Sequence, residues 1–332
     1  MSKTIIFVPG FKGSSLFNAH QQLIWPNFWR AQMDVKTNLA MSLPELGIVN
    51  DEIFYAKSIV LDVNLIPGVY RYSIYGPFVR FLQETYPRAR ILYYPYDWRQ
   101  DLSILGEALF QYVERSVPDV NEELVFIGHS MGGLIISDML RRIKHPVKQV
   151  FYVATPFLGS LKALLYLMRG NPFGLNKTLL SSRVMATFPS IYYLLPRYRN
   201  ALQDASLSSI EVWREHVLGF LMQEDPTKGV QFLQKMFNMV ESFYQSLALL
   251  AKYHPKTVYF FINNTTLSTP MMLRLGQSMQ IEYGLGDGTV PDCSLAKPAY
   301  FQAVETVHHT MNKVHTLSFT DKNLFEHMKY FL

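Results

Sequence analysis

Short apolar runs closed by turn residues recur through the first half of the chain. Residues 4–8 form one such run, ended at once by Pro9-Gly10, and read as a strand covered on both faces. Residues 90–94, 124–127 and 150–153 read the same way. Between them apolar positions recur at spacings of three and four. Residues 77–84, entered by Gly76-Pro77, residues 105–115 and residues 131–143 therefore read as helices. Strand and helix in alternation predict an α/β fold whose central sheet is mostly parallel, with helices on both faces.

The alternation stops near Phe157. From residue 157 to residue 254 there are helical stretches separated by Asn171-Pro172, Phe188-Pro189, Leu195-Pro196 and Asp225-Pro226. The clearest helix covers residues 230–252, with Leu233, Met236, Phe237, Val240, Phe243, Tyr244, Leu247 and Leu250 on one face. Strand signals return at residues 257–262, 280–283 and 300–307, and a last helix covers residues 321–331. The expected plan is a core built from residues 1–156 and 255–332, with residues 157–254 as a helical cap or lid insertion. For any single residue of the aromatic stripe, packing against the core is the plainer expectation.

Composition changes this picture little. With 332 residues, 49% of them hydrophobic, the chain has ample material for a large core. A net charge of +5 spread over scattered Lys and Arg residues contains no basic arm, so nucleic acid is not an expected partner. Arg141-Arg142 reads as a solvated helix end, and a weak attraction to an anionic lipid surface is the other consequence of the charge. The single cysteine, Cys293, excludes an internal disulfide. The N-terminus lacks a signal-peptide layout, and no run reaches the roughly 20 apolar residues of a membrane span. These features predict a cytoplasmic protein, with peripheral contact at membranes as its only membrane association. Aromatic residues make up 14% of the chain, which suits an apolar ligand pocket as well as a core.

Chemistry enters at Gly128-His129-Ser130-Met131-Gly132, a G-x-S-x-G match followed by Gly133. An apolar strand leads into it and a helix leaves it, which is the context of the nucleophile elbow of α/β-hydrolases. The sharp turn strains the serine backbone and holds its hydroxyl up at a helix N-terminus. Side chains two residues before and after would collide with neighbouring chain. Ser130 is the candidate nucleophile.

A serine hydroxyl needs a base, and the base an orienting acid, in the chain order Ser, acid, His for this elbow. Gly286-Asp287-Gly288-Thr289-Val290-Pro291 offers Asp287 in a tight turn after a late strand signal, with Asp292 as the second choice. His308, His309 and His315 lie between the last strand and the last helix, and His327 lies within that helix. His308 and His309 sit at the strand end, where a side chain has little reach over the sheet. His315 is favoured because it lies in the connecting loop. The oxyanion of a tetrahedral intermediate needs backbone N–H donors, expected from Met131 and, in the glycine-containing loop Pro9-Gly10-Phe11-Lys12-Gly13, from Phe11. No metal or organic cofactor is expected, because the histidines show no ligand spacing.

Taken together, several segments resemble the lecithin–cholesterol acyltransferase family. That family includes lysosomal phospholipase and the phospholipid–diacylglycerol acyltransferases, with bacterial relatives. Val8-Pro9-Gly10-Phe11-Lys12-Gly13-Ser14-Ser15-Leu16 resembles its oxyanion loop, Pro95-Tyr96-Asp97-Trp98-Arg99 its mid-chain signature, and Gly128 to Gly133 its nucleophile segment. Gly286 to Pro291 resembles its acid turn. His315-Thr316-Leu317 enters the closing helix as the family's catalytic histidine does, which adds weight to His315. Animal members carry lid disulfides that this chain cannot form. Thr187-Phe188-Pro189-Ser190 and Leu195-Pro196 look more like bacterial relatives. The resemblance implies a serine-dependent acyl-ester hydrolase or O-acyltransferase acting on lipid, of lipase or phospholipase type. The alternatives are a non-lipid carboxylesterase or amidase, and a non-catalytic binding domain on the same fold. For Asp97 and Arg99, a buried structural ion pair is favoured over a catalytic role.

Overall fold

Six parallel strands make the central sheet, in the spatial order Thr306–Thr310, Val258–Asn263, Val147–Val153, Glu123–His129, Lys3–Val8 and Arg90–Tyr93. The computed structural model describes residues 3–66, 70–203, 205–223, 225–250, 256–276, 279–301 and 306–332. A parallel sheet is stable only with both faces covered, and the residues alternate accordingly. Ile5, Phe7, Val125, Ile127, Phe151 and Phe260 enter one apolar cluster. Ile6, Val8, Phe126, Val150, Tyr152 and Phe261 enter the other. This is why the strands read as unbroken apolar runs. Each fully buried aliphatic or aromatic side chain contributes ~1.5–3 kcal/mol on leaving water.

Helices Gly76–Thr85 and Lys322–Phe331 cover the first face through Phe78, Leu82, Leu324 and Met328. Helices Leu102–Ser116 and Met131–Met139 cover the second. Asp101 starts the former, its side chain accepting from the Ser103 and Ile104 backbone N–H groups, a cap of the kind that contributes ~1 kcal/mol. The chain moves from Lys3–Val8 to Arg90–Tyr93 on one side, then to Glu123–His129 on the other. That reversal leaves a crevice beyond the carboxyl ends of Lys3–Val8 and Glu123–His129, where ligands bind in such sheets.

Several elements differ from the sequence expectation. Residues 10–75, to which the sequence reading assigned no strand or helix, hold an antiparallel sheet of Ser14–Asn18, Leu23–Trp25 and Phe54–Ile59, and a pair of strands, Asp62–Ile66 and Tyr70–Ser73. All three ladders shift register, and each shift breaks the two-residue alternation that marks a strand. The signal at residues 280–283 belongs to Gln280–Gly286, in a separate sheet with Leu267–Arg274 and the two-residue strand Leu202–Gln203. The signal at residues 300–307 begins in a helical turn, Ala299–Phe301. Residues 302–305 lie outside the described residues, and the strand itself is Thr306–Thr310. As the edge of the sheet it tolerates polar residues, so its apolar signature is weak.

The stripe helix runs Pro226–Leu247. It starts earlier than its apolar pattern because Asp225 caps the Thr227 and Lys228 N–H groups and Pro226 occupies the first turn. Leu250 of the stripe is buried beyond it. The predicted end at Lys252, and the expected domain boundary near residues 254–255, lie outside the described residues. Leu233, Met236, Val240, Phe243 and Leu247 are buried in the same cluster as Leu134 and Tyr152. The helix packs on Met131–Met139 and Pro189–Tyr193. Among the described residues no helix is long and apolar enough to cross a membrane.

Candidate active site

Ser130 lies between strand Glu123–His129 and helix Met131–Met139 with φ 52° and ψ −126°. A non-glycine residue in that region stores ~1–3 kcal/mol of strain, which the surrounding fold must hold. Its N–H donates to the Val153 carbonyl of the neighbouring strand across 2.9 Å. Close approach explains two of the glycines. A Cβ on Gly10 would lie 2.9 Å from the Ser130 Cβ, and one on Gly132 would overlap the carbonyl oxygens of Val8 and Pro9. Their absence lets the loop after Lys3–Val8 lie against the start of the serine's helix.

Three side chains distant in sequence meet here. His315 Nε2 lies 2.9 Å from Ser130 Oγ, and His315 Nδ1 lies 2.6 Å from Asp287 Oδ2. A carboxylate can only accept, so Nδ1 carries the proton, and Nε2 is left to accept the Ser130 hydroxyl. Asp287 Oδ1 accepts from the Thr289 and Val290 N–H groups at 2.9 and 2.7 Å, and the Asp287 carbonyl accepts from the His315 N–H at 3.0 Å. Asp287 is fully buried, while Ser130 and His315 keep 6% and 7% of their surface, enough to meet a ligand.

The other candidates lie elsewhere. His308 is exposed on the edge strand and stacks on Phe261 at 5.6 Å. His309 lies on the same strand, and His327 packs beside it from the last helix. Asp292 opens the short helix Asp292–Leu295, where its side chain accepts from the Cys293 N–H. Among the described residues, no group of His, Cys, Asp and Glu could hold a metal ion.

Neither the Phe11 nor the Met131 backbone N–H donates to a protein acceptor among the described residues. The segment Pro95 to Arg99 braces the loop that carries Phe11. Tyr96 donates its hydroxyl to the Pro9 carbonyl at 2.6 Å, and the Trp98 indole N–H donates to the Ser14 carbonyl at 3.0 Å. The Phe11 ring packs edge-on against Trp98, with centroids 5.1 Å apart. Arg99 and Asp97 form the buried bidentate ion pair that the sequence favoured, at 2.7 and 2.9 Å, and Arg99 also donates to the Leu39 carbonyl.

Two residues that sequence reasoning missed connect the parts. The Tyr75 hydroxyl accepts from the Gly10 N–H at 3.0 Å and lies 2.7 Å from His129 Nδ1, while His129 Nε2 lies 3.1 Å from the His315 carbonyl. A carbonyl only accepts, so Nε2 carries the proton and Nδ1 accepts from Tyr75. Burial, reinforced by His315, holds the His129 imidazole well below the usual histidine range, which matches this neutral tautomer. The one sequence signal was a polar aromatic residue, His129, ending an apolar strand.

The triad opens into a cavity of about 640 Å³ with a mostly apolar wall. Tyr166, Phe173, Ile191 and Leu194 supply part of that wall, whereas the helix Pro226–Leu247 supplies none.

Comparison with known proteins adds an independent line. The family model for lecithin:cholesterol acyltransferase matches residues 17–274, a span that contains Ser130 but ends before Asp287 and His315. An uncharacterized protein of Saccharomyces cerevisiae is 26% identical over 204 residues, 58% of this chain. The chain spans 29% of that relative's length. Among solved structures, the mature lipase BlEst2 of Bacillus licheniformis is similar with a TM-score of 0.46 at 13% identity, covering 98% of this chain and 89% of that one. Phospholipase PlaB of Legionella pneumophila is similar with a TM-score of 0.29 at 14% identity, over 58% of this chain and 34% of that one.

Proposed function

The chain belongs to the lecithin:cholesterol acyltransferase family, and from that premise we propose that it cleaves lipid acyl esters with Ser130 as nucleophile, His315 as base and Asp287 as orienting acid. The observation that carries this reading is the hydrogen-bonded series Asp287–His315–Ser130 at 2.6 and 2.9 Å. The serine proton passes to His315 Nε2 as Oγ attacks the carbonyl carbon. The backbone N–H groups of Phe11 and Met131 receive the oxyanion. Collapse of the intermediate breaks the ester bond, and His315 returns the proton to the departing alcohol. Water or an acceptor alcohol then attacks the acyl-enzyme, giving up its proton to Nε2, and His315 returns that proton to Ser130 Oγ as the acyl–oxygen bond breaks, which restores the free serine.

Lipid is favoured over a small polar ester because the cavity beside Ser130 is walled mainly by apolar side chains. Residues 157–254 act as the cap in this reading, with Tyr166, Phe173, Ile191 and Leu194 reaching the cavity and helix Pro226–Leu247 packing on the core. Hydrolysis and acyl transfer differ only in the final nucleophile, so exclusion of water by this cap decides between them.

The test is product analysis on mixed phospholipid vesicles, with and without an acceptor alcohol, alongside labelling by a fluorophosphonate. The wild type should release or transfer a fatty acyl group and label once. Ser130→Ala should do neither and keep the wild-type fold by circular dichroism. Ester cleavage retained in Ser130→Ala would overturn the assignment.

A further inference from the structure

The acid turn and the histidine loop reach Ser130 by separate routes. One leaves the small sheet at Gly286, and the other leaves the edge strand at Thr310. Strand Val258–Asn263 lies beside that edge strand, and two asparagines, Asn263 and Asn264, stand at its end. Successive side chains leave a strand on opposite sides, so neighbours can reach different segments. Asn263 donates its Nδ2–H to the Leu295 carbonyl at 2.8 Å, in the short helix that follows the acid turn. Asn264 donates its Nδ2–H to the Lys313 carbonyl at 2.9 Å, two residues before His315.

The Asn264 side chain is buried, and its orientation is fixed. Its Oδ1 accepts from the Thr266 N–H at 3.0 Å and from the Thr266 hydroxyl at 2.8 Å, so the nitrogen is the end that faces Lys313. An asparagine that merely ended a strand would need only such local bonds. The backbone extends the same frame. The Asn263 carbonyl accepts from the Met311 N–H at 3.1 Å, where the histidine loop begins. The Ile262 carbonyl accepts from the Ala154 N–H at 2.9 Å, and the adjoining Val153 carbonyl holds the Ser130 N–H. One strand end is thus tied to the segments of all three proposed reacting residues. Neither asparagine lines the cavity, so neither meets substrate. His129 and Ser318 also restrain the histidine loop, through the His315 carbonyl, and Thr269 Oγ1 restrains the acid turn by accepting from the Gly288 N–H. Those bonds hold one loop or the other, whereas the asparagine pair holds both from one point of the sheet.

We infer that Asn263 and Asn264 are positioning residues that set the distance between Asp287 and His315. This rests on the series Asp287–His315–Ser130 as the reacting groups, and it goes further by naming what fixes the spacing of that series.

Asn264→Asp tests it in the full-length chain. The substitution keeps the shape and the oxygen facing Thr266, and turns the donor facing Lys313 into an acceptor. On one ester, kcat should fall at least about tenfold with KM within about twofold of wild type. Asn263→Ala should lower kcat by a smaller factor, because Thr269 still restrains the acid turn. Turnover is counted per serine labelled to completion by fluorophosphonate, so that a misfolded fraction does not enter. The proton resonance of the His315 Nδ1–H, assigned by its loss in Asp287→Ala, reads the spacing without turnover and should shift or broaden in both variants. Asn18→Ala is the control for lost stability alone. Its buried side chain accepts from the His20 and Gln22 N–H groups in the turn between Ser14–Asn18 and Leu23–Trp25, and both turnover per site and the resonance should stay as in wild type. An unmoved resonance in Asn264→Asp would overturn the inference, as would an equal fall in kcat in Asn18→Ala. Ester cleavage retained in Ser130→Ala would remove the nucleophile assignment but not this test, since a resonance shifted in Asn264→Asp and unmoved in Asn18→Ala would still support the pair as the spacer.

Discussion

His129 Nε2 donates to the backbone carbonyl of His315 across 3.1 Å, so the residue just before the proposed nucleophile holds the loop that carries the proposed base. Through Tyr75 the same imidazole is linked to the N–H of Gly10, the residue before Phe11. One buried chain of hydrogen bonds therefore spans the proposed oxyanion loop, the elbow and the loop that carries His315. Each of its groups has a fixed role as donor or acceptor, so it sets the spacing of the Gly10 loop, Ser130 and the His315 loop.

Tyr75→Phe should reveal that chain. It removes the hydroxyl and leaves the Gly10 N–H and His129 Nδ1 buried without their partner. The expected cost is about 1–3 kcal/mol in denaturant unfolding. Turnover should fall about tenfold while KM stays within about twofold, because positioning is lost and the substrate wall is not. An unchanged kcat in a destabilised protein would reduce Tyr75 to a packing residue.

The histidine assignment is separable by two variants on one ester. His315→Ala should lose at least about 10³-fold in kcat/KM. His308→Ala should remain within about twofold of wild type, since that ring lies exposed on the edge strand against Phe261. The opposite outcome would move the base to His308.

The ion pair of Asp97 and Arg99 should matter to stability more than to chemistry. Arg99→Met leaves the Asp97 carboxylate largely buried and opens the bond to the Leu39 carbonyl. The expected loss is about 3–5 kcal/mol by denaturant titration. In the fraction that still labels with fluorophosphonate, turnover per labelled serine should match wild type within about twofold. A large fall in turnover per site would give Arg99 a role in positioning.

Much of this molecule is written locally. The strand–elbow–helix around Ser130 is legible because one continuous segment encodes it: apolar residues for a doubly covered strand, then glycines where the chain crowds. The acid turn around Asp287 is legible for the same reason. Spacing alone favoured His315 without excluding His308 and His309, because the choice depends on where the edge strand ends. That strand runs to Thr310, which keeps His308 and His309 on the edge strand and frees the following loop to turn back over Ser130. The small sheets between residues 10 and 75 escaped reading because register shifts erase strand periodicity. The place of Tyr75 and the bracing by Tyr96 and Trp98 were decided only by the tertiary structure. Periodicity reports which face of an element is buried. It carries no record of which distant chain arrives there, and a hydrogen bond between Tyr75 and His129 exists only once the segment leading into helix Gly76–Thr85 has packed against the sheet whose strand ends at His129.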